Sequence, residues 1–280
     1  MPADVSLMSL IEARIASGDV ELPPASEVST RLQALTASPD FDMNEVVQLI
    51  CSDQVLTAEV LRVANGAFYG GLSEVRTVAD ATVRLGATEI TRLAVMCSEK
   101  ANYKARHPAL AALIPDLWNH SVGTAMGARW LADKLGFKDL QNEAFIGGLL
   151  HDVGSLLIVR VIDQILQEEG KQIELREPLL IEILERGHTS HGYTLAGMWN
   201  LPQSYCEVVR DHHLEEASQS NQLLNLVALA DKACTKLGIG IESDDSLRLD
   251  ATEQALTLGA SDLVLAQLSV MLEDATSLAS

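Results

Sequence analysis

The sequence predicts an all-α protein, and three observations support that prediction. Hydrophobic residues make up 48% of the chain and aromatic residues only 4%, so the core must consist mainly of aliphatic side chains, which suit packed helices better than a β-sandwich. Apolar residues recur with the 3.6-residue period of a helix, and helix start and stop signals are frequent. No segment shows a convincing strand-like alternation of apolar and polar residues.

The first part of the chain predicts several short helices. In "FDMNEVVQLI", Asp42 is expected to cap a helix while Glu45 reaches back, as in a capping box. "VLTAEVLRVANGAFYGG" carries the helical period and stops at its Asn-Gly pair. "TVADATVRLG" ends at Gly86, after which a further helix begins. Residues 100–117 contain two prolines and are expected to join an N-terminal helical bundle to a larger C-terminal one.

The second part of the chain is predicted to form longer helices. "LWNHSVGTAMGARWLADKLG" is expected to form a long helix that ends at Gly136, and "NEAFIGGLLHDVGSLLIVRVI" is apolar nearly all round, which indicates a central helix. Further helices are predicted in "EPLLIEILERG", "SHGYTLAGMWN", "SYCEVVRDHHLEE", "NQLLNLVALADKACTKLG", "DATEQALTLG" and "ASDLVLAQLSVMLEDATS". "LGIGIESDDSLRL" is expected to be a loop before the last helices.

Charge and composition exclude several classes of function. The formal net charge is -19, which disfavours binding to nucleic acid or to anionic lipid, and the Lys and Arg residues form no local basic patch. The N-terminus lacks the pattern of a signal peptide, and no apolar stretch reaches membrane-spanning length without a charge. The four cysteines are far apart with no CxxC pair, as in a reducing compartment. We therefore expect a cytoplasmic protein with no membrane or nucleic-acid partner.

Several ionisable residues occupy positions that should face the core. His120 shares a helical stripe with Leu117 and Thr124, and the predicted central helix carries an adjacent histidine and aspartate. Each such residue alone is more often a hydrogen-bonded core residue. Together they predict a site for a divalent ion, because a cation would offset the buried carboxylates and because imidazole suits iron, manganese, cobalt or zinc. The candidate ligands are His120, His151, Asp152, His191, His212, His213 and Asp231.

The His151–Asp152 pair constrains where such an ion could lie. Adjacent residues point about 100° apart around a helix, so both can reach one ion only if it sits off the helix flank. The small residues Gly147, Gly148 and Gly154 surround the pair and would let neighbouring helices approach. The pair is therefore expected to lie at the centre of a site whose other ligands come from different helices.

These residues resemble a known superfamily. "LLHDVG" is similar to the signature of HD-domain metal-dependent phosphohydrolases, and the order of the candidate ligands resembles the H…HD…H…HH…D series of its HD-GYP branch. Other segments are similar to the HDOD family: "LPPASEV" (Leu22 to Val28), "ICSDQVLTAEVLRVANGAFYG", "VADATVRLGATEITRLAV", "DLWNHSVGTA", "EAFIGGLLHDVG" and "LAGMWNLPQSYCEVVRDHH". The resemblance implies a two-lobed helical bundle, with an N-terminal lobe over residues 1–106 and an HD-like lobe carrying the metal site over residues 107–280.

The departures from the relatives are informative. HD-GYP enzymes that hydrolyse cyclic di-GMP usually carry lysine where this chain has Ser155, and they carry a Gly-Tyr-Pro loop where this chain has "LEEAS" after His213. Those differences weaken the assignment of a cyclic-dinucleotide hydrolase. The complete series of candidate ligands instead favours retained metal binding.

Two functions therefore remain open. The resemblance to HDOD proteins implies a bacterial signal-transduction module that acts through a protein partner, with a divalent metal ion that ties its helices together. The alternative is a metal-dependent phosphohydrolase or phosphodiesterase with a nucleotide or other phosphoester as ligand. In that case one ion is expected on His120, His151, Asp152 and Asp231, and a second on His191, His212 and His213, with Asp152 bridging both. The sequence does not identify the catalytic residue, and Asp152 is the candidate if there is one.

Overall fold

The computed structural model describes residues 7–17, 20, 27–36, 41–66, 68–69, 74–169 and 175–279, and every regular element within these ranges is helical. The prediction of an all-α fold is confirmed. The α-helices are α1 (Leu7–Ser17), α2 (Glu27–Thr36), α3 (Met43–Cys51), α4 (Gln54–Ala64), α5 (Val78–Leu85), α6 (Ala87–Lys100), α7 (Pro108–Lys134), α8 (Gln141–Leu150), α9 (Val153–Glu169), α10 (Glu177–Met198), α11 (Gln203–Asp211), α12 (Gln222–Leu237), α13 (Glu253–Leu258) and α14 (Asp262–Ala279).

The chain divides into two compact units. One comprises the described parts of residues 1–23 and 104–273, and the other those of residues 24–103 and 274–280. The sequence prediction placed the division after residue 106, with residues 1–106 in one lobe and residues 107–280 in the other. Helix α1 groups with the C-terminal unit because it packs on α9.

The smaller unit is built from short helices with side-chain caps. Asp42 accepts a hydrogen bond from the backbone N–H of Asn44 at the start of α3, as its position in the sequence predicts. Thr77 caps α5 in the same way. Gly86, at a φ of 81°, ends α5 and begins α6. Most of the "LPPASEV" motif lies outside the described residues.

Helix α7 begins earlier than the sequence predicts. Its first residue is Pro108, where the missing N–H costs no helical hydrogen bond, and Asp163 accepts hydrogen bonds from the backbone N–H groups of Arg106 and His107 just before it. Pro115 lies inside the helix. The expected linker over residues 100–117 is therefore mostly helix, and the long α7 carries His120 near its middle.

Helix α10 is continuous where the sequence predicts two helices. Gly187 lies within it and is buried, and a methyl group there would come within 3.0 Å of Ile158 Cδ1 on α9. The glycine permits close packing and does not end the helix. As a result, Leu180, Leu184 and His188 form one buried stripe at four-residue spacing.

The predicted central helix consists of α8 and α9, which meet at a turn formed by His151 and Asp152. Among the described residues, one segment, Lys138–Glu168, is long and apolar enough to cross a membrane by composition, but 83% of its most apolar window is buried inside the protein. This is the burial expected of a core helix.

Two glycines let helices meet closely at this turn. A methyl group on Gly148 would lie 2.7 Å from Ala125 Cα on α7, and one on Gly154 would overlap the carbonyl oxygen of His188 on α10. These contacts bring α7, α8, α9 and α10 to one point. A large apolar core that includes Leu131, Leu226 and Leu268 supports α7 and α12 behind it.

We expect Gly154→Ala to destabilise the protein by about 3 kcal/mol, because α9 and α10 must separate to admit the methyl group. Gly197→Ala is the matched control. Gly197 also lies in α10, and a methyl group there meets nothing within 4 Å, so alanine should stabilise the helix by up to about 1 kcal/mol. Urea unfolding of both variants measures the difference. Equal stability for the two would contradict the packing of α9 on α10.

Candidate metal centre

Five helical segments bring seven ionisable residues together in the larger unit. α7 supplies one histidine, the turn between α8 and α9 supplies a histidine and an aspartate, and α10 supplies another histidine. Two more histidines directly follow the last residue of α11, and an aspartate lies on α12. The residues are His120, His151, Asp152, His188, His212, His213 and Asp231.

The first group of donor atoms lies between α7 and α12. The Nε2 atom of His120 is 3.1 Å from Nε2 of His151 and 3.1 Å from Oδ1 of Asp231. Nε2 of His151 is 3.9 Å from the same oxygen. His151 and Asp231 are buried, and the His120 side chain is 13% exposed. One nitrogen from each histidine and one carboxylate oxygen thus face a common point.

The second group lies between α10 and the end of α11. Nε2 of His188 is 2.9 Å from Nε2 of His213 and 3.3 Å from Nε2 of His212. His188 and His212 are buried, whereas the side chain of His213 is 48% exposed. The second group is therefore open to solvent on the His213 side.

The carboxylate of Asp152 lies between the two groups. Its Oδ1 is 3.5 Å from Nε2 of His188 and 3.4 Å from Nε2 of His212. Its Oδ2 is 3.8 Å from Nε2 of His120. Asp152 can therefore supply one oxygen to each group.

Backbone carbonyl groups fix the orientation of four of the imidazole rings. In each of them the Nδ1–H group donates a hydrogen bond to a backbone carbonyl oxygen. The donor and acceptor residues are His120 and Ile239, His151 and Gly148, His188 and Leu184, and His212 and Val208. In a neutral ring this leaves the lone pair on Nε2, which is the atom that points into the cluster in each case. Histidine ligands of metal ions are commonly oriented in this way.

The donor atoms fit a divalent cation. Two ligand atoms about 2.0–2.2 Å from one ion, at angles of roughly 90–110°, lie about 2.8–3.6 Å apart, and most separations within each group fall in or near this range. Lone pairs that face each other at these distances repel unless a proton or a cation lies between them. In addition, the buried Oδ1 of Asp152 has no hydrogen-bond partner among the described residues.

The ionisable groups of the cluster are buried and close together, so the charge of each one shifts the pKa of its neighbours. Burial disfavours the charged form of His120, but the hydrogen bond and negative charge of Asp231 outweigh it and raise the pKa of His120 to about 9. Burial lowers the pKa of His151 to about 4. Burial opposes the ionisation of Asp152, but the surrounding histidines hold the pKa of its carboxyl well below its usual range. Both aspartates are thus anionic at neutral pH, as metal ligands need to be.

A small cavity adjoins the cluster. Its volume is about 30 Å³, enough for a water molecule or two beside an ion. Five of the cluster residues reach it, and Ser155, Glu185, Thr235 and Glu242 complete its polar lining. Ser155 stands where the resemblance to HD-GYP enzymes would lead us to expect lysine.

Six of the seven predicted ligands belong to the cluster, and His191 does not. On the continuous helix α10, His188 faces α9 and α11, while the ring of His191 packs against Gly187 and is only partly buried. Burial lowers the pKa of His191, and the negative charge of Glu12 opposes that shift. The sequence prediction missed His188 because it placed this residue in a break between two helices. Its four-residue spacing from Leu180 and Leu184 was the signal that could have identified it.

The comparisons with known proteins agree with this fold. The model of the HDOD domain family matches residues 22–215. An HDOD domain protein of unknown function from Geobacter sulfurreducens has a crystal structure with a TM-score of 0.78 and 26% identity, and the match covers 97% of this chain and 96% of that one. The Geobacter structure and the present one therefore share both fold and detectable sequence similarity.

Two more distant crystal structures share the fold alone. A candidate metal-dependent phosphohydrolase from Shewanella amazonensis SB2B has a TM-score of 0.65 and 18% identity, over 96% of this chain and 98% of that one. A candidate signal transduction protein from Marinobacter aquaeolei VT8 has a TM-score of 0.69 and 20% identity, over 98% of this chain and 65% of that one.

An uncharacterized protein of Treponema pallidum (strain Nichols) is 25% identical over 227 residues, which are 79% of this chain. The match spans only 43% of the length of that relative. The family match covers more than half of the chain, agrees with the motifs of the sequence and coincides with the helical fold. The chain therefore belongs to the HDOD domain family.

Proposed function

We propose that this protein is a signal-transduction module whose buried centre binds one or two divalent metal ions and thereby fixes the arrangement of its helices. The observation that carries the proposal is the convergence of seven side chains from five helical segments, with backbone carbonyls orienting four of the rings. A metal ion bound there stabilises the folded state, since the unfolded chain holds no such set of ligands.

The proposed ligands are divided between two positions. His120, His151 and Asp231 would hold one ion, and His188, His212 and His213 a second, with Asp152 shared. Nitrogen-rich ligand sets of this kind suit iron, manganese or zinc better than magnesium or calcium. His188 takes the place that the sequence prediction gave to His191.

The regulatory part of the proposal rests on the size of the cavity and on the relatives. The cavity of about 30 Å³ holds a water molecule or two, so an organic phosphoester would have to lie mostly outside it. The Marinobacter protein is named as a candidate signal transduction protein, and this chain has the same fold. We propose that the output passes to a protein partner in the cytoplasm, and the net charge of -19 argues against a nucleic-acid partner.

A metal-dependent phosphohydrolase is the second candidate function. It is favoured by the position of Asp152 between the two groups of ligands, next to a cavity that reaches solvent through the half-exposed His213. A divalent ion at this place would supply Lewis acidity and an activated water for attack on phosphorus. The Shewanella protein, which is named as a candidate metal-dependent phosphohydrolase, has the same fold.

Thermal unfolding and a hydrolysis assay separate the two functions. With free Mn²⁺ at about 100 times its dissociation constant, we expect the midpoint of unfolding to rise by roughly 5–10 °C. We expect hydrolysis of bis(p-nitrophenyl) phosphate by the loaded protein to be no faster than by its Asp152→Asn variant. Turnover well above that control would establish the phosphohydrolase. The absence of any shift with Mn²⁺, Fe²⁺ or Zn²⁺ would contradict metal binding and so both candidates.

A further inference from the structure

The loop after α12 is held against the metal centre by its backbone. Gly238 adopts a φ of 66° and turns the chain, and the carbonyl oxygen of Ile239 then accepts the hydrogen bond from Nδ1 of His120. Gly240 has a φ of 131°, and a methyl group there would lie 3.0 Å from the His120 ring. These close contacts fix the path of the loop, and its next residues, Ile241 and Glu242, line the cavity.

A second carboxylate lines the cavity from α10. Glu185 precedes the proposed ligand His188 by three residues and lies on the more exposed side of the helix. Both glutamates line the same cavity. Burial raises the pKa of Glu242, and the negative charge of Glu185 raises it further. Glu185 and Glu242, which we call the acidic mouth, thus flank the approach to the ligands.

The cavity is lined by no lysine or arginine side chain. Its lining, all of it within the described part of the chain, includes four carboxylates. If the imidazoles are neutral, one divalent ion leaves this lining with a net negative charge, and two divalent ions only neutralise it. A phosphate or phosphoester anion would therefore meet no surplus of positive charge. Sites that bind such anions normally provide one.

We propose that Glu185 and Glu242 are specificity determinants of the centre, which attract divalent cations and reject phosphate and phosphoester anions. This inference rests on the proposed metal centre and goes beyond it, because it assigns a role to two residues that are not among the seven proposed ligands. It also gives an electrostatic reason why the module would respond to metal ions rather than hydrolyse phosphoesters.

The test uses the full chain, its Glu185→Gln/Glu242→Gln variant and inorganic phosphate. Glutamine keeps the size of each side chain and removes its charge. Titration calorimetry with Mn²⁺ measures metal affinity, and line broadening of the phosphate ³¹P signal by bound Mn²⁺ measures whether phosphate reaches the centre. Glu182→Gln is the matched control for Glu185→Gln, since Glu182 is exposed on the same helix and does not line the cavity.

In the double variant we expect Mn²⁺ affinity to fall by about tenfold and phosphate to show saturable broadening. The Mn²⁺-loaded wild type and the Glu182→Gln variant should show no broadening beyond that caused by free Mn²⁺. Equal broadening in the wild type and the double variant, or none in either, would overturn the role of the acidic mouth while the metal centre stands. If the wild type binds no Mn²⁺, the proposed function fails as well, and the calorimetry alone reports that outcome.

Discussion

Asp152→Asn is expected to lower the affinity for Mn²⁺ by at least about 100-fold. Loss of an outer residue that merely orients a ligand already costs roughly 10–100-fold, and Asp152 faces both groups of donors directly through its two carboxylate oxygens. Asparagine has nearly the same shape but lacks the charge and offers only one oxygen. Titration calorimetry of the wild type and the variant measures the difference.

The control for this substitution is Asp116→Asn. Asp116 lies on the exposed face of α7, the helix that carries His120, and is not part of the cluster. Its removal changes the net charge by the same amount, so its Mn²⁺ affinity should stay within about twofold of the wild type. A similar affinity in all three proteins would show that Asp152 is not a ligand.

The substitution His188→Ala is expected to lower metal content, whereas His191→Ala leaves it unchanged. His188 contacts the two other histidines of the second group and lies 3.5 Å from Oδ1 of Asp152, so its loss removes the central donor of that group. His191 lies three residues further along the same helix and packs against Gly187. We expect the affinity of the second position to fall at least about tenfold in the His188 variant.

Elemental analysis after equilibrium dialysis against Mn²⁺ distinguishes the two histidines. The His188→Ala variant should retain about one ion fewer per chain than the wild type if both positions are filled. The His191→Ala variant serves as its matched control, because the same side chain is removed from the same helix. The reverse pattern, with metal lost only in the His191 variant, would contradict the orientation of α10.

Much of the fold was predictable because the sequence signals that specify a helix are local. The 3.6-residue period and the capping residues predict α3, α4, α5 and the last two helices close to their observed bounds. The errors arose where a residue that often ends helices lies inside one. Pro115 is accommodated within α7, and Gly187 within α10 serves close packing with Ile158.

Six of the seven residues of the cluster were predicted from the cost of burying ionisable groups, and not from helical periodicity alone. Ionisable side chains on apolar helical faces are costly unless they share a partner, so the set as a whole indicated a cation. The exception, His188, was missed because Gly187 is predicted to end the first of two helices, whereas α10 continues through it. The convergence of the acidic mouth was not predictable either, since Glu185 and Glu242 lie on separate elements and meet only through the loop that binds His120.

Anomalous X-ray scattering from a crystal soaked in Mn²⁺ tests the central claim most directly. We predict one or two anomalous peaks inside the cluster, about 2.0–2.2 Å from Nε2 of His120 and His151 or of His188 and His212, with a carboxylate oxygen of Asp152 as a shared ligand. A crystal that takes up Mn²⁺ elsewhere but shows no peak among these residues would contradict the assignment of a metal centre.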